Sequence, residues 1–261
     1  MQKDEHHLLP LFVKYYGEAF GYNHIHLLDN GSSPTMDSAL NHAKSLGVSV
    51  NTEYSTPQDF ERKGAIIGKE INAHQDDYDI FLPLDCDEFI GLKEADGSYT
   101  CDTENLLNFF SSLEPGAYRT TQRLRNNLTD LERFYVYGGG AKVFFVKTIA
   151  VGLDVGFHGC KRPKKITDTP LCHFELHNKP FEILQEHARN KMELRLNLDD
   201  VEAVKRYTDK GIHLIRYFLP NAQAAYISSM QKEKWFHTDA LKQAFSKLEL
   251  RHPFVGSKLV L

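Results

Sequence analysis

Apolar residues at Leu8, Leu9, Leu11, Phe12, Tyr15, Tyr16 and Phe20 recur at helical intervals, predicting a first helix with Asp4 as N-cap, His7 in its first turn and Gly21 at its end. HIHLLDNGSS follows, an apolar run broken at Asp29-Asn30-Gly31, which predicts a strand ending in a polar loop. Met36 to Leu46, closed by Gly47, predicts a second helix and Val48 to Val50 a second strand. Phe60 to Gln75 predicts a long helix with Ile66, Ile67 and Ile71 on one face. Ile80 to Leu84 then runs directly into Asp85, Cys86, Asp87 and Glu88, the pattern of a buried strand with carboxylates at its C-terminal end. On a strand Asp85 and Asp87 share one side, so two hard oxygen donors meet one divalent cation.

Strands separated by helices imply crossover units, a mostly parallel sheet, and ligand sites beyond the strands' carboxyl ends, where both Asp29 and the Asp85/Asp87 pair fall. Past residue 100 the pattern changes. Asn105 to Leu113 predicts a short helix, and AYRTTQRLR, RFYVYG and AKVFFVK predict an antiparallel addition to the sheet. Residues 151–175 read as loop-rich, and 180–198 and 214–248 as helical. The expectation is an α/β fold: a Rossmann-like, mostly parallel sheet flanked by helices with an antiparallel addition, over residues 1–178, followed by a helical C-terminal region over residues 179–261.

Composition narrows the classes. No apolar run approaches the roughly 18 residues of a membrane span, and a net charge of -4 argues against a dedicated nucleic-acid binder. The cysteines at 86, 101, 160 and 172 show no CxxC pairing, which favours a reduced, cytoplasmic compartment. His158, Cys160, Cys172 and His173 offer a competing zinc-type donor set, although their spacing fits no common finger. The basic run Lys161, Arg162, Lys164, Lys165 has three readings: a solvated loop, a clamp over a diphosphate, or a peripheral anchor to the anionic lipid of an inner membrane.

The order KDE at Lys3 to Glu5, then HIHLLDNGSS, DIFLPLDCDEF, AKVFFVK and CHFELHNKPFEI resembles the family 2-like bacterial glycosyltransferases of the GT-A fold that carry a DxDEF signature. The resemblance spans roughly residues 2 to 195, and only Met1 and Gln2 precede KDE where the family has an apolar strand. It implies a metal-dependent, inverting transferase moving sugar from a nucleotide-diphosphate sugar, a UDP-sugar foremost, to a glycan or lipid-linked acceptor in surface-polysaccharide synthesis. By the same resemblance Asp85 and Asp87 hold Mn2+ or Mg2+, with His173 or His158 completing the ligand set. Lys3, Asp4, Glu5 and Asp29 seat the base and ribose, and Arg62 and Lys63 reach the base or diphosphate.

An inverting displacement needs one carboxylate as base. Asp154 is the first candidate, with Glu175 and Glu88 behind it, Glu88 being read alternatively as orienting substrate or capping a turn. Arg123, Arg125 and Asn126 either line the sugar pocket or form a solvated basic face, the blander reading leading. His177, Lys179 and Lys191 are weaker candidates. Two other classes compete: a DxD phosphohydrolase, and a nucleotide- or carbohydrate-binding module without turnover.

Overall fold

The computed structural model describes residues 1–193 and 195–254. In chain order the elements are α1 (Leu9–Phe20), β1 (His26–Leu28), α2 (Asp37–Ser45), β2 (Ser49–Asn51), α3 (Pro57–Glu61), α4 (Lys63–Ala73), β3 (Ile80–Phe81), β4 (Glu88–Lys93) and β5 (Tyr99–Thr100). There follow α5 (Thr103–Ser111), β6 (Gly116–Asn126), β7 (Arg133–Tyr137), β8 (Val143–Val146), β9 (Ile166–Glu175), α6 (Phe181–Met192), α7 (Val201–Arg206), α8 (Ile212–Ile215), α9 (Ala222–Gln231), β10 (Phe236–His237) and α10 (Ala240–Lys247).

The fold is mixed α/β, but the sheet is not mostly parallel. β1 and β2, linked by α2, form a parallel pair, and Gln2 adds a parallel bridge to Asp29. In the separate eight-stranded sheet the β6–β9 pair is parallel, while β3–β8, β4–β5, β4–β9, β6–β7, β6–β8 and β7–β10 are antiparallel. Two of these pairs, β4–β5 and β6–β7, join successive strands through short links that close as hairpins, whereas the parallel β6–β9 pair is joined through the long 127–165 connection.

Three local expectations are corrected with it. Residues 151–175 are not all loop, because ITDTPLCHFE is the ten-residue strand β9. Pro170, which as a rule demotes a strand, sits at a register shift between Thr120 and Gln122 of β6, where the ladder already skips a bond. The long helix at 60–75 is two helices. Thr56 and Asp59 form a capping box over Pro57 to start α3, and Arg62 (φ -101°, ψ 11°) leaves helical geometry so that α4 begins afresh at Lys63. The 214–248 stretch, read as helical, also contains a strand, β10. β10 pairs with β7, and Leu241 and Phe245 of α10 join the main core, where Phe245 packs edge-on against Phe89.

Alternation along β4, β6 and β9 divides the sheet's two faces. Phe89, Leu124 and Phe174 are direct neighbours and fill the core under α1 and α10. Glu88, Arg125 and Glu175 are neighbours one residue away and therefore point to the opposite face. α1 fixes the start of β4: the Tyr16 hydroxyl donates to the Glu88 carbonyl (2.9 Å) and accepts from Ile90 N–H (3.0 Å), and the Tyr15 hydroxyl donates to the Ile90 carbonyl (2.8 Å).

Candidate active site

The DIFLPLDCDEF segment does not reach its acids as a strand. β3 ends at Phe81, and Pro83 has no N–H to continue a ladder. Asp85-Cys86-Asp87 is a turn, closed by Glu88 N–H donating to the Asp85 carbonyl (3.0 Å), and β4 starts on its far side. A turn splits what a strand would align, so the two aspartates face different partners.

Asp85 is clamped between two lysines. Its Oδ1 lies 2.8 Å from Lys63 Nζ and its Oδ2 lies 2.9 Å from Lys142 Nζ, and Lys142 also reaches Glu88 Oε1 at 2.9 Å. Both lysines are buried, at 5% and 3% exposure. Beneath them lies the fully buried Phe157 ring, with the ammonium groups 4.5 and 5.0 Å from its centroid. Phe157 takes φ 60°, a left-handed conformation unfavourable for an aromatic residue, and Val143 N–H holds its carbonyl at 2.7 Å. Strain at Phe157 thus puts an aromatic face under two buried cations.

Burial works against a charged Asp85, but Lys63 and Lys142 hold its carboxyl well below the usual carboxylate range. Glu88 goes the other way. Burial, reinforced by Asp85, Asp87 and Glu175 and opposed by Lys142, pushes it up to about 8. Asp85 draws on two lysines, one of them shared, whereas Glu88 pairs with Lys142 alone among the described residues. Glu88 also spends Oε2 on the Asp85 N–H (2.9 Å) and is 1% exposed, so it is a structural acid of the turn and not the accessible base expected of it.

A second cluster surrounds Glu175. Arg123 and Arg125 both donate to its Oε2 (2.7 and 2.8 Å), and His177 Nδ1 lies 3.4 Å from Oε1. The Arg125 guanidinium stacks on Tyr137 at 3.4 Å. Although burial opposes it, His177, Arg123 and Arg125 hold the Glu175 carboxyl well below its ordinary value, so Glu175 is not the base either. Nor do the arginines form a solvated face: their side chains are 16% and 9% exposed. Asn126 pairs with Asn178 through both side chains and backbone, locking β6 to the end of β9.

Asp87 stands between these clusters, half-buried and with no side-chain hydrogen bond among the described residues. Its carboxylate, that of Glu175 and the imidazole of His177 have donor atoms within 4.8 Å of one another. Two carboxylates and one imidazole suit Mn2+ or Mg2+, and Asp87 is the donor free to accept an ion. Asp85, Asp87, His173 and His158 are not brought together as a ligand set among the described residues. His173 is fully buried on β9, with Nδ1 3.2 Å from Thr120 Oγ1 and Nε2 unpartnered, and burial lowers it to about 3, keeping it neutral. His158 is exposed, its Nδ1 3.0 Å from the Ala141 carbonyl. The zinc-type set of His158, Cys160, Cys172 and His173 does not assemble among the described residues either.

The KDE start splits similarly. Glu5 joins the charged cluster: Lys179 Nζ lies 3.3 Å from its carboxylate and His187 Nδ1 lies 3.8 Å away, and burial together with Asp87 raises its pKa against the pull of Lys179. Asp4 instead accepts from Ser33 N–H (2.7 Å) and Ser33 Oγ (2.8 Å), and buried Asp29 accepts from Gln2 and Ser32. Both aspartates tie loops and offer little to a nucleotide. Lys3 and Arg62 are exposed, and Lys63 is committed to Asp85. Asp154 is exposed and caps its own turn through Gly156 and His158 N–H (2.8 and 3.0 Å), so it is not poised as a base. All four residues of the basic run are exposed, as for a solvated loop.

Lys142, His187, Tyr137 and Phe157 are site residues no motif announced. Lys142 had one faint signal: a lone lysine immediately before the apolar run Val143 to Val146. Comparison of the chain with protein-family models, curated proteins and solved structures finds no match. Among the described residues no helix is long and apolar enough to cross a membrane.

Proposed function

We propose that the chain is a metal-dependent glycosyltransferase that takes a sugar from a nucleotide-diphosphate donor, a UDP-sugar foremost, and passes it with inversion to a glycan or lipid-linked acceptor. The observation that carries this reading is the DCDE turn. It leaves Asp87 as an uncompensated carboxylate beside Glu175 and His177, within a cluster of charges that also holds the buried Lys63, Lys142, Lys179 and Arg125 and the part-buried Arg123. Burying that many charges is costly for a purely structural protein, and such clusters concentrate at functional sites. Asp87, Glu175 and His177 would hold Mn2+ or Mg2+, and a bound ion acts as a Lewis acid on the departing diphosphate. The chain's own part is positional. Asp85 orients Lys63 and Lys142, the arginines fix Glu175, and Lys179 holds Glu5 in the cluster.

The test is a thermal-shift series with nucleoside diphosphates, with and without Mn2+, followed by hydrolysis of the matching nucleotide sugar. A ligand at 100 times its Kd adds about 2.7 kcal/mol of stability. The expected result is a Mn2+-dependent rise with one nucleotide and slow sugar release, both lost in Asp87→Ala. No shift with any nucleotide in either condition overturns the proposal. A shift without turnover, unchanged in Asp87→Ala, favours a silent binding module instead.

A further inference from the structure

A second group of donors lies apart from the charged cluster. Glu70 lies in the last turn of α4 and His74 is its C-cap, and His26 opens β1 opposite them. The donor atoms of the three lie within 4.8 Å of one another, and the two imidazole rings are 4.5 Å apart between centroids. All three line a cleft of about 800 Å3 whose other walls include Phe12, Tyr16 and Leu82.

We propose that His26, Glu70 and His74 bind Zn2+ at the edge of this cleft. Two imidazoles and one carboxylate form a borderline donor set that favours zinc over the hard, all-oxygen cations. The surroundings are built for it. Asp77 Oδ2 accepts from His74 Nδ1–H at 2.8 Å, which fixes the tautomer and leaves Nε2 with the lone pair a metal needs. The Tyr78 hydroxyl contacts His26 Nε2 at 3.3 Å and restrains the second ring. The end of α4 presents the negative pole of the helix dipole, which favours a cation there. His26 is exposed and Glu70 and His74 are half-buried, so an ion has an entry path. Three protein donors leave a coordination position for a ligand in the cleft, as in zinc sites that bind substrate.

The experiment is equilibrium dialysis of the full chain against Zn2+, with Co2+ as a spectroscopic substitute. An Asp87→Asn background removes the cluster's free carboxylate. One Zn2+ per chain is expected in that background, lost in His26→Ala and in His74→Ala, and weakened about tenfold by Asp77→Ala, which removes only the orienting acceptor. Glu70→Gln, nearly isosteric, guards against misfolding; it should weaken Zn2+ while leaving the circular dichroism spectrum unchanged. Failure of the full chain to bind Zn2+ overturns the proposal. So does an ion that persists in the His26→Ala/His74→Ala double variant, or one whose only loss is on Asp87→Asn.

Discussion

Lys142 is the residue on which the most electrostatics rests. It is 3% exposed, lies 2.9 Å from each of two carboxylates, and stands over Phe157. Removing one partner of a buried ion pair strands the others, so Lys142→Met should destabilise by about 3–5 kcal/mol in chemical denaturation. The buried acids divide into two opposite pH signatures. Asp85 and Glu175 are held below their unfolded values, so their contribution is full above about pH 4–5 and is lost as pH falls further. Glu88 is raised, from 4.5 to about 8, so its protonated form favours folding below pH 4.5 and that contribution is lost as pH climbs toward 8. Glu88→Gln should therefore gain stability relative to the parent between pH 5 and pH 8. Urea unfolding at the two pH values checks it, and a difference independent of pH would sink the assignment.

At the scale of elements, what was legible in the chain is what local pattern determines. The apolar spacing of α1, its end at Gly21 and the runs of β1 and β8 are written in short stretches and appear within a few residues of where periodicity puts them, whereas α1 starts at Leu9 without a side-chain cap and not from Asp4. What was not legible depended on partners distant in the chain. β9 carries Pro170 and three threonine or aspartate positions before its apolar end, and it is a strand because β6 and β4 flank it. The acids were visible, but their pairing was not, because a turn and a strand place Asp85 and Asp87 differently, and Lys142 arrives from another strand. The junction of α4 with the 150–157 loop is the element contact that sets the lysine clamp. At Gly64 a Cβ would stand 2.2 Å from the Leu153 carbonyl oxygen and 2.5 Å from that of Asp154. These are backbone atoms, so Gly64→Ala must push α4 away from the loop carrying Phe157. An overpacking loss of about 1–3 kcal/mol is expected, with weaker nucleotide response, read from thermal shift beside a neutral control such as Gly138→Ala, where no neighbour lies within 4 Å and φ is not left-handed.

Across the whole molecule the charged cluster joins regions remote in sequence: Glu5 near the chain's start, the turn at 85–88, β6, the residue before β8, the end of β9, Lys179 just before α6 and His187 within it. Hydrophobic burial elsewhere makes such an arrangement affordable, yet like charges inside it remain unfavourable. Asp87 is the clearest instance. It has no cation within salt-bridge distance among the described residues, and it raises the pKa of both Glu5 and Glu88. Without an ion, then, Asp87 should weaken the fold, and its presence is accounted for by what it binds. Asp87→Asn keeps the shape and removes the charge. The metal-free variant is expected to be as stable as the parent or more so by about 1 kcal/mol, a rise of roughly 2–4 °C in Tm for a chain of this size. Addition of Mn2+ should reverse the order, stabilising the parent and leaving the variant unmoved. Paired melting curves in chelator and in Mn2+ measure both halves. A variant that is less stable by more than about 1 kcal/mol in chelator would mean that Asp87 is a structural acid whose partner lies within the fold.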